Sequence, residues 1–127
     1  MPTAITRNEM LLLSQFGYTL YKEGQYQKAI SFFEGLSELQ PEVPQFHSAL
    51  ALLYHLTNDP LEALTKARVA YRLKPTDIAL MLTMGEVYLT LNQPDNAREI
   101  LNRAYNEARR TKHPALNRII LMLRSAR

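Results

Sequence analysis

An all-α fold is predicted: three helical hairpins stacked in a right-handed superhelix, with a C-terminal capping helix closing the far end. Three observations predict it. The first is a 34-residue period: aligning Gly17, Ala51 and Gly85 brings Leu20, Tyr54 and Tyr88 into register, then Ala29, Ala63 and Ala97, then Leu36, Ala70 and Ala104. The second is punctuation, because Leu39 and Leu73 are each followed two residues later by a proline, and all seven prolines stand at or outside expected helix ends. The third is the last segment, where Leu116, Ile119, Ile120 and Leu123 recur at the spacing of one apolar helix face. Small residues in the repeated positions suit close helix crossings, and the large ones fill the space between hairpins.

In chain order, residues 1–7 are read as a flexible N-terminus and residues 8–127 as a single domain. The first hairpin pairs helices at about 8–22 and 26–39, the second at about 44–56 and 60–73, and the third at about 77–90 and 94–110, within repeats of about 10–43, 44–77 and 78–111. Gly24, Asn58 and Asn92 fall at the turn inside each hairpin, and these residue types tolerate a left-handed backbone. Asp59-Pro60-Leu61-Glu62 reads as N-cap, first helical residue and an acid at the positive end of the helix dipole, and Gln93-Pro94-Asp95 repeats the arrangement. After Pro114 the capping helix, at about 114–126, turns Asn117, Arg118 and Arg124 away from its apolar face. A stack of repeats leaves an open apolar end, and such a helix closes it. The period and the alternation of small and large residues resemble the tetratricopeptide repeat (TPR) pattern.

Composition narrows the chemistry. There is no cysteine, so neither disulfides nor thiolate metal sites are available. The N-terminus lacks the basic start and long apolar stretch of a secretory signal, and the longest apolar runs fall far short of the roughly 20 residues that span a bilayer. A cytoplasmic location and no membrane insertion are expected. Residues 1–62 hold 3 Lys or Arg against 7 Asp or Glu, a net of −4, whereas residues 63–127 hold 12 against 5, a net of +7. In a stacked solenoid, sequence order is spatial order, so an acidic end and a basic end are expected. Nucleic acid is not the expected partner, because no aromatic-interleaved platform accompanies the basic stretch.

No catalytic or metal site is expected. His47 and His55 lie on one expected helix but about 12 Å apart in rise, too far to share a metal, and they are read as surface or groove residues. Ser14, Ser31, Ser37 and Ser48 have no paired base, and four glycines form no phosphate loop. Tyr54, Tyr71, Tyr88 and Tyr105 recur 17 residues apart, with Tyr54 and Tyr88 in the register of a packed residue.

The expected binding wall is the inner face of the first helices. With Phe16, Gly17, Leu20 and their equivalents assigned to the packed side, the first hairpin offers Leu11, Ser14, Tyr18 and Tyr21. The second offers Gln45, Ser48, Leu52 and His55, and the third Ala79, Leu82, Glu86 and Leu89. Glu86 is the one acid placed there. Such a groove suits an extended or helical partner segment with spaced apolar anchors. Repeat domains of this pattern that grip the acidic tails of heat-shock chaperones present Lys and Asn where this chain has Ser14, Tyr18, Ser48, Leu52, Leu82 and Glu86, so a hydrophobic target is expected.

Over nearly its whole length the chain resembles the small tetratricopeptide chaperones of bacterial type III secretion systems. The likeness runs from Leu13-Ser14-Gln15-Phe16-Gly17-Tyr18 through Gly24-Gln25-Tyr26-Gln27-Lys28-Ala29 and Leu39-Gln40-Pro41 to Gly85-Glu86-Val87-Tyr88-Leu89 and the basic last helix. The resemblance implies a cytoplasmic chaperone, without cofactor or catalysis, that holds a small helical or extended export substrate or apparatus subunit and prevents its premature assembly. It also implies contacts with a second co-chaperone or with the export gate. Translocator-binding members carry a longer N-terminal extension for dimerisation than the few residues before Asn8, which favours the smaller type. The competing reading is a general TPR protein-protein adaptor in another bacterial assembly or regulatory complex.

Overall fold

The computed structural model describes residues 5–126; residues 1–4 and Arg127 lie outside it, and with them most of the expected flexible N-terminus and the last of the basic residues. Seven helices and no strand occur among the described residues: α1 Arg7–Lys22, α2 Tyr26–Leu39, α3 Pro44–Leu56, α4 Pro60–Leu73, α5 Ile78–Thr90, α6 Pro94–Thr111 and α7 Leu116–Ser125. Each boundary has a local cause. Thr6 and Glu9 form a reciprocal cap, each side chain accepting from the other's backbone N–H at 3.1 Å, so α1 begins inside the segment expected to be flexible. The same bond from the Thr6 backbone holds the Glu9 carboxyl below the usual carboxylate range. Pro44, Pro60 and Pro94 open α3, α4 and α6 at positions whose N–H would be unpaired anyway. Gly24, Asn58 and Asn92 take φ of 77°, 63° and 58°, the left-handed conformation the hairpin turns were expected to need.

Ala29, Ala63 and Ala97 are fully buried at the crossings inside the hairpins. Gly17 and Gly85 serve closer approaches still: a Cβ on Gly17 would sit 2.6 Å from Phe33 Cε2, and one on Gly85 2.7 Å from Leu101 Cδ2. Phe33, Phe46, Leu50 and Leu53 fill the core between the first two hairpins, and Met81, Leu101 and Ile119 the core of the third hairpin and α7. Half-buried Tyr54 and Tyr88 pack against these clusters as their register predicts. The Tyr54 hydroxyl donates to Glu34 Oε1 at 3.1 Å, and Lys66 Nζ stands 3.2 Å from the same oxygen, which ties α2, α3 and α4 together on one side. Burial, and then that bond to Glu34, push the Tyr54 phenol up to about 12.

Two packing expectations are corrected. Phe16, assigned to the packed side, is 56% exposed, and Leu12 is 66% exposed. Their equivalents Phe46, Leu50, Leu80 and Met84 are buried under a preceding hairpin, whereas among the described residues no helix stands before α1 to cover Phe16 and Leu12. The C-terminal end is closed instead: Ile119 is fully buried, and Arg98 of α6 donates to the Ala126 carbonyl while pairing with Asp95. His47, read as a surface or groove residue, is only 8% exposed. It sits in the first turn of α3, facing the linker from α2, and its Nε2–H donates to the Pro41 carbonyl at 2.7 Å.

Candidate functional site

The first helices, α1, α3 and α5, carry the expected wall residues, and their exposure differs. Leu11 and Tyr18 are exposed, and Ser14, Tyr21, Ser48, Leu52, His55, Glu86 and Leu89 are half-buried, with faces free for contact. Gln45 and Ala79 are exposed at the first turns of α3 and α5. Leu82 departs from expectation. It is only 6% exposed and belongs to the core cluster that contains Ile78, Met81 and Ile119, although its equivalents Ser14 and Ser48 are half-buried. It is drawn into the same apolar cluster as Ile119 of α7, and Arg118 of α7 reaches Glu86 one turn beyond Leu82.

The aromatic end of the wall is rigid. The Tyr18 ring lies 5.6 Å from that of Phe33, and Tyr21 stacks on Tyr26 at 6.0 Å. Burial of its hydroxyl end and the Asp77 carboxylate together raise the Tyr18 phenol above its ordinary range. Asp77 is therefore a second acid of the wall beside Glu86. Its Oδ1 caps α5 by accepting from Leu80 N at 3.2 Å, and Ser48 Oγ donates towards its Oδ2 at 3.5 Å. The sequence carried a signal for it, an Asp immediately before the apolar run of the third hairpin.

Nor is Glu86 isolated among hydrophobes. Its Oε2 lies 3.0 Å from His55 Nε2 and its Oε1 2.5 Å from an Arg118 guanidinium nitrogen, so one carboxylate links α3, α5 and α7. Side chains with 18%, 32% and 62% exposure make a graded polar cluster beside the apolar wall residues. The inner wall as a whole pairs aromatic and aliphatic anchors with hydroxyl, imidazole and carboxylate groups that set register, which is the chemistry of segment recognition. Among the described residues no group of three or more His, Asp or Glu could hold a metal ion, and no helix is long and apolar enough to cross a membrane.

Comparison with known proteins follows the same line. Models of the tetratricopeptide repeat match residues 15–78 and 78–110. No curated protein sequence matches the chain. Among solved structures, PcrH of Pseudomonas aeruginosa in complex with the chaperone binding region of PopD superposes with a TM-score of 0.87 at 18% identity, covering 99% of this chain and 96% of that one. The type III secretion translocator chaperone SycD of Yersinia enterocolitica gives 0.88 at 16%, over 97% and 86%. The first repeat domain of Spaghetti (RPAP3), bound to the HSP90 peptide SRMEEVD, gives 0.85 at 18%, over 98% and 95%. At such identities the likeness is one of fold, shared by domains that take different peptides.

Proposed function

The chain belongs to the tetratricopeptide repeat family, and from that premise we propose that it is a cytoplasmic, non-catalytic chaperone which holds an apolar segment of a type III secretion export substrate or apparatus subunit in its inner groove. One observation carries the reading: Leu11, Tyr18, Tyr21, Leu52 and Leu89 keep free apolar surface along one wall, while the corresponding cores behind them are filled. Free surface of this kind, on a scaffold without other use for it, is stabilised by a partner. An apolar segment sequestered there is kept from assembling until release. No Lys or Arg stands on α3 or α5, and α1 places Leu11, Ser14, Tyr18 and Tyr21 on the wall between its terminal Arg7 and Lys22, which supports a hydrophobic target over the acidic chain end held by the heat-shock-binding domains. PcrH, which holds the chaperone binding region of PopD, and SycD, which holds a peptide of the translocator YopD, are the neighbours that suggest the export role; the second reading is a general adaptor in another assembly.

Coexpression tests it. The chain, tagged, is produced with each small export substrate and needle-type subunit of the host's secretion system, beside variants Tyr18→Asp and Leu52→Asp. A stoichiometric complex with one of them, abolished by either substitution while circular dichroism and melting hold, is the expected result. Truncating a central anchor of this kind typically costs on the order of 2 kcal/mol or more of binding. A complex that survives both substitutions sinks the groove assignment, and a complex formed only with proteins outside the export apparatus favours the adaptor reading.

A further inference from the structure

On the face opposite the inner wall, we propose a second docking surface, between α4 and α6, for an acidic protein segment that carries an apolar anchor. Two adjoining depressions of about 200 Å³ and 390 Å³ open there, and they share Arg68, Tyr71 and Met84. Their floor is apolar: Met84 and Ile100 are buried, and Val69 and Tyr88 half-buried. Their rim is cationic. Arg68 and Arg72 stand one turn apart on α4, exposed, and make no ion pair among the described residues, whereas Arg98, Arg103, Arg110 and Arg118 each hold a carboxylate.

Charge decides the occupant. The acid on this rim, Glu99, accepts from Arg103 at 2.9 Å, and Arg103 also donates to the Tyr71 hydroxyl at 2.8 Å with its guanidinium 5.9 Å from that ring's centroid. Arg103 is thereby fixed as one wall, and the two uncommitted guanidinium groups of α4 remain beside an apolar trough. Planar guanidinium groups bind carboxylates in pairs of hydrogen bonds, and a methionine floor adapts to an aliphatic or aromatic side chain. A nucleic acid is disfavoured because Tyr71 is half-buried under Arg103 and offers no ring to stack on. A membrane is disfavoured because the apolar surface is recessed rather than projecting. The surface is independent of the inner groove, so both can be filled together.

The test uses fluorescein-labelled helical peptides and anisotropy. One peptide carries glutamates with a Leu-Phe pair one turn apart; a second keeps the charges and has Ser in place of the pair. The proteins are the wild type, the double variant Arg68→Glu with Arg72→Glu, and Leu52→Asp of the inner groove. Expected are saturable binding of the first peptide to wild type and to Leu52→Asp, about tenfold weaker binding to the double variant, and a loss of affinity with rising salt. Circular dichroism of the double variant should match wild type, since both arginines are exposed. A second pair of substitutions, Arg68→Ala with Arg72→Ala, keeps the test valid if the glutamates unfold the chain. The proposal fails if the first peptide does not bind, if the serine peptide binds as well as it, or if affinity is unchanged in both double variants. It fails equally if a single-stranded oligonucleotide or phosphatidylserine vesicles bind this face more tightly than the peptide.

Discussion

Replacing Gly17 by Ala and Gly35 by Ala is the same chemical change in the middle of a helix, and the structure gives the two opposite signs. Each gains helix propensity worth roughly 1 kcal/mol, because alanine loses less backbone freedom on folding. At Gly35 of α2 the new methyl meets nothing within 4 Å, so that gain should appear nearly whole, as about 0.5 to 1 kcal/mol of added stability. At Gly17 the methyl would stand 2.6 Å from Phe33 Cε2 and 3.1 Å from Phe32 Cδ2. Phe33 cannot swing aside: it is 1% exposed and held among Tyr18, Phe32 and Phe46 at ring distances of 5.6, 5.8 and 6.3 Å. Overfilling such a site costs about 1 to 3 kcal/mol, which outweighs the propensity gain and leaves a net loss of about 1 kcal/mol. The two variants should therefore differ by about 2 kcal/mol, or roughly 8 °C in Tm for a chain of this size. Urea unfolding followed by circular dichroism measures both. If Gly17→Ala is stabilised as much as Gly35→Ala, the close approach of α1 to α2 is wrong, and with it the placement of Tyr18 over Phe33.

Two further outcomes separate core from wall and probe one half-buried phenol. Leu82→Asp should unfold the chain or cost several kcal/mol, while Leu52→Asp should stay within about 1 kcal/mol of wild type, because only the first puts a charge into a filled core; equal melting of the two would reject the distinction. The raised Tyr54 phenol means that the folded state keeps its proton after the unfolded chain has lost it, so its contribution is intact below about pH 10 and declines as pH rises towards about 12. Tyr54→Phe should flatten stability across that alkaline window, and an unchanged slope would mean that burial and Glu34 do not raise the phenol.

Helix number and boundaries were legible because the 34-residue register, the prolines and the left-handed turn residues are all local signals, and Gly24, Asn58 and Asn92 adopt the backbone that their types suggest. The Thr6–Glu9 cap had a local signal, Thr-x-x-Glu before an apolar run, but residues 1–7 were read as a flexible N-terminus and the cap was missed. Periodicity misled where the stack ends. It gives Phe16 the same role as Leu50, and Leu82 the same role as Ser48, but a repeat pattern does not say whether a neighbour exists on either side. Phe16 has no covering helix before α1 among the described residues, and Leu82 joins the cluster that holds Ile119 of α7. The link from Glu86 to His55 and Arg118 was hidden for a related reason: it joins residues 31 and 32 positions apart, through a helix outside the repeats. His47 likewise turns on a single backbone carbonyl of a linker, which no side-chain pattern encodes.

The connections in this chain are of two kinds, and the difference governs how the molecule can breathe. Within hairpins, the turn-closing bonds Gln25 to Leu20, Asp59 to Tyr54 and Gln93 to Tyr88 are 2.9, 2.8 and 2.8 Å long. Between hairpins, Val43 to Gln40 and Asp77 to Lys74 stretch to 3.3 and 3.4 Å. The turns inside the hairpins are thus closed by shorter bonds than the two linkers, of which the first is held by His47 on Pro41 and the second by Asp77. A bulkier guest should therefore strain the bonds at residues 40–43 and 74–77 before those of the hairpin turns, and can part the hairpins only at the expense of the cores that join them.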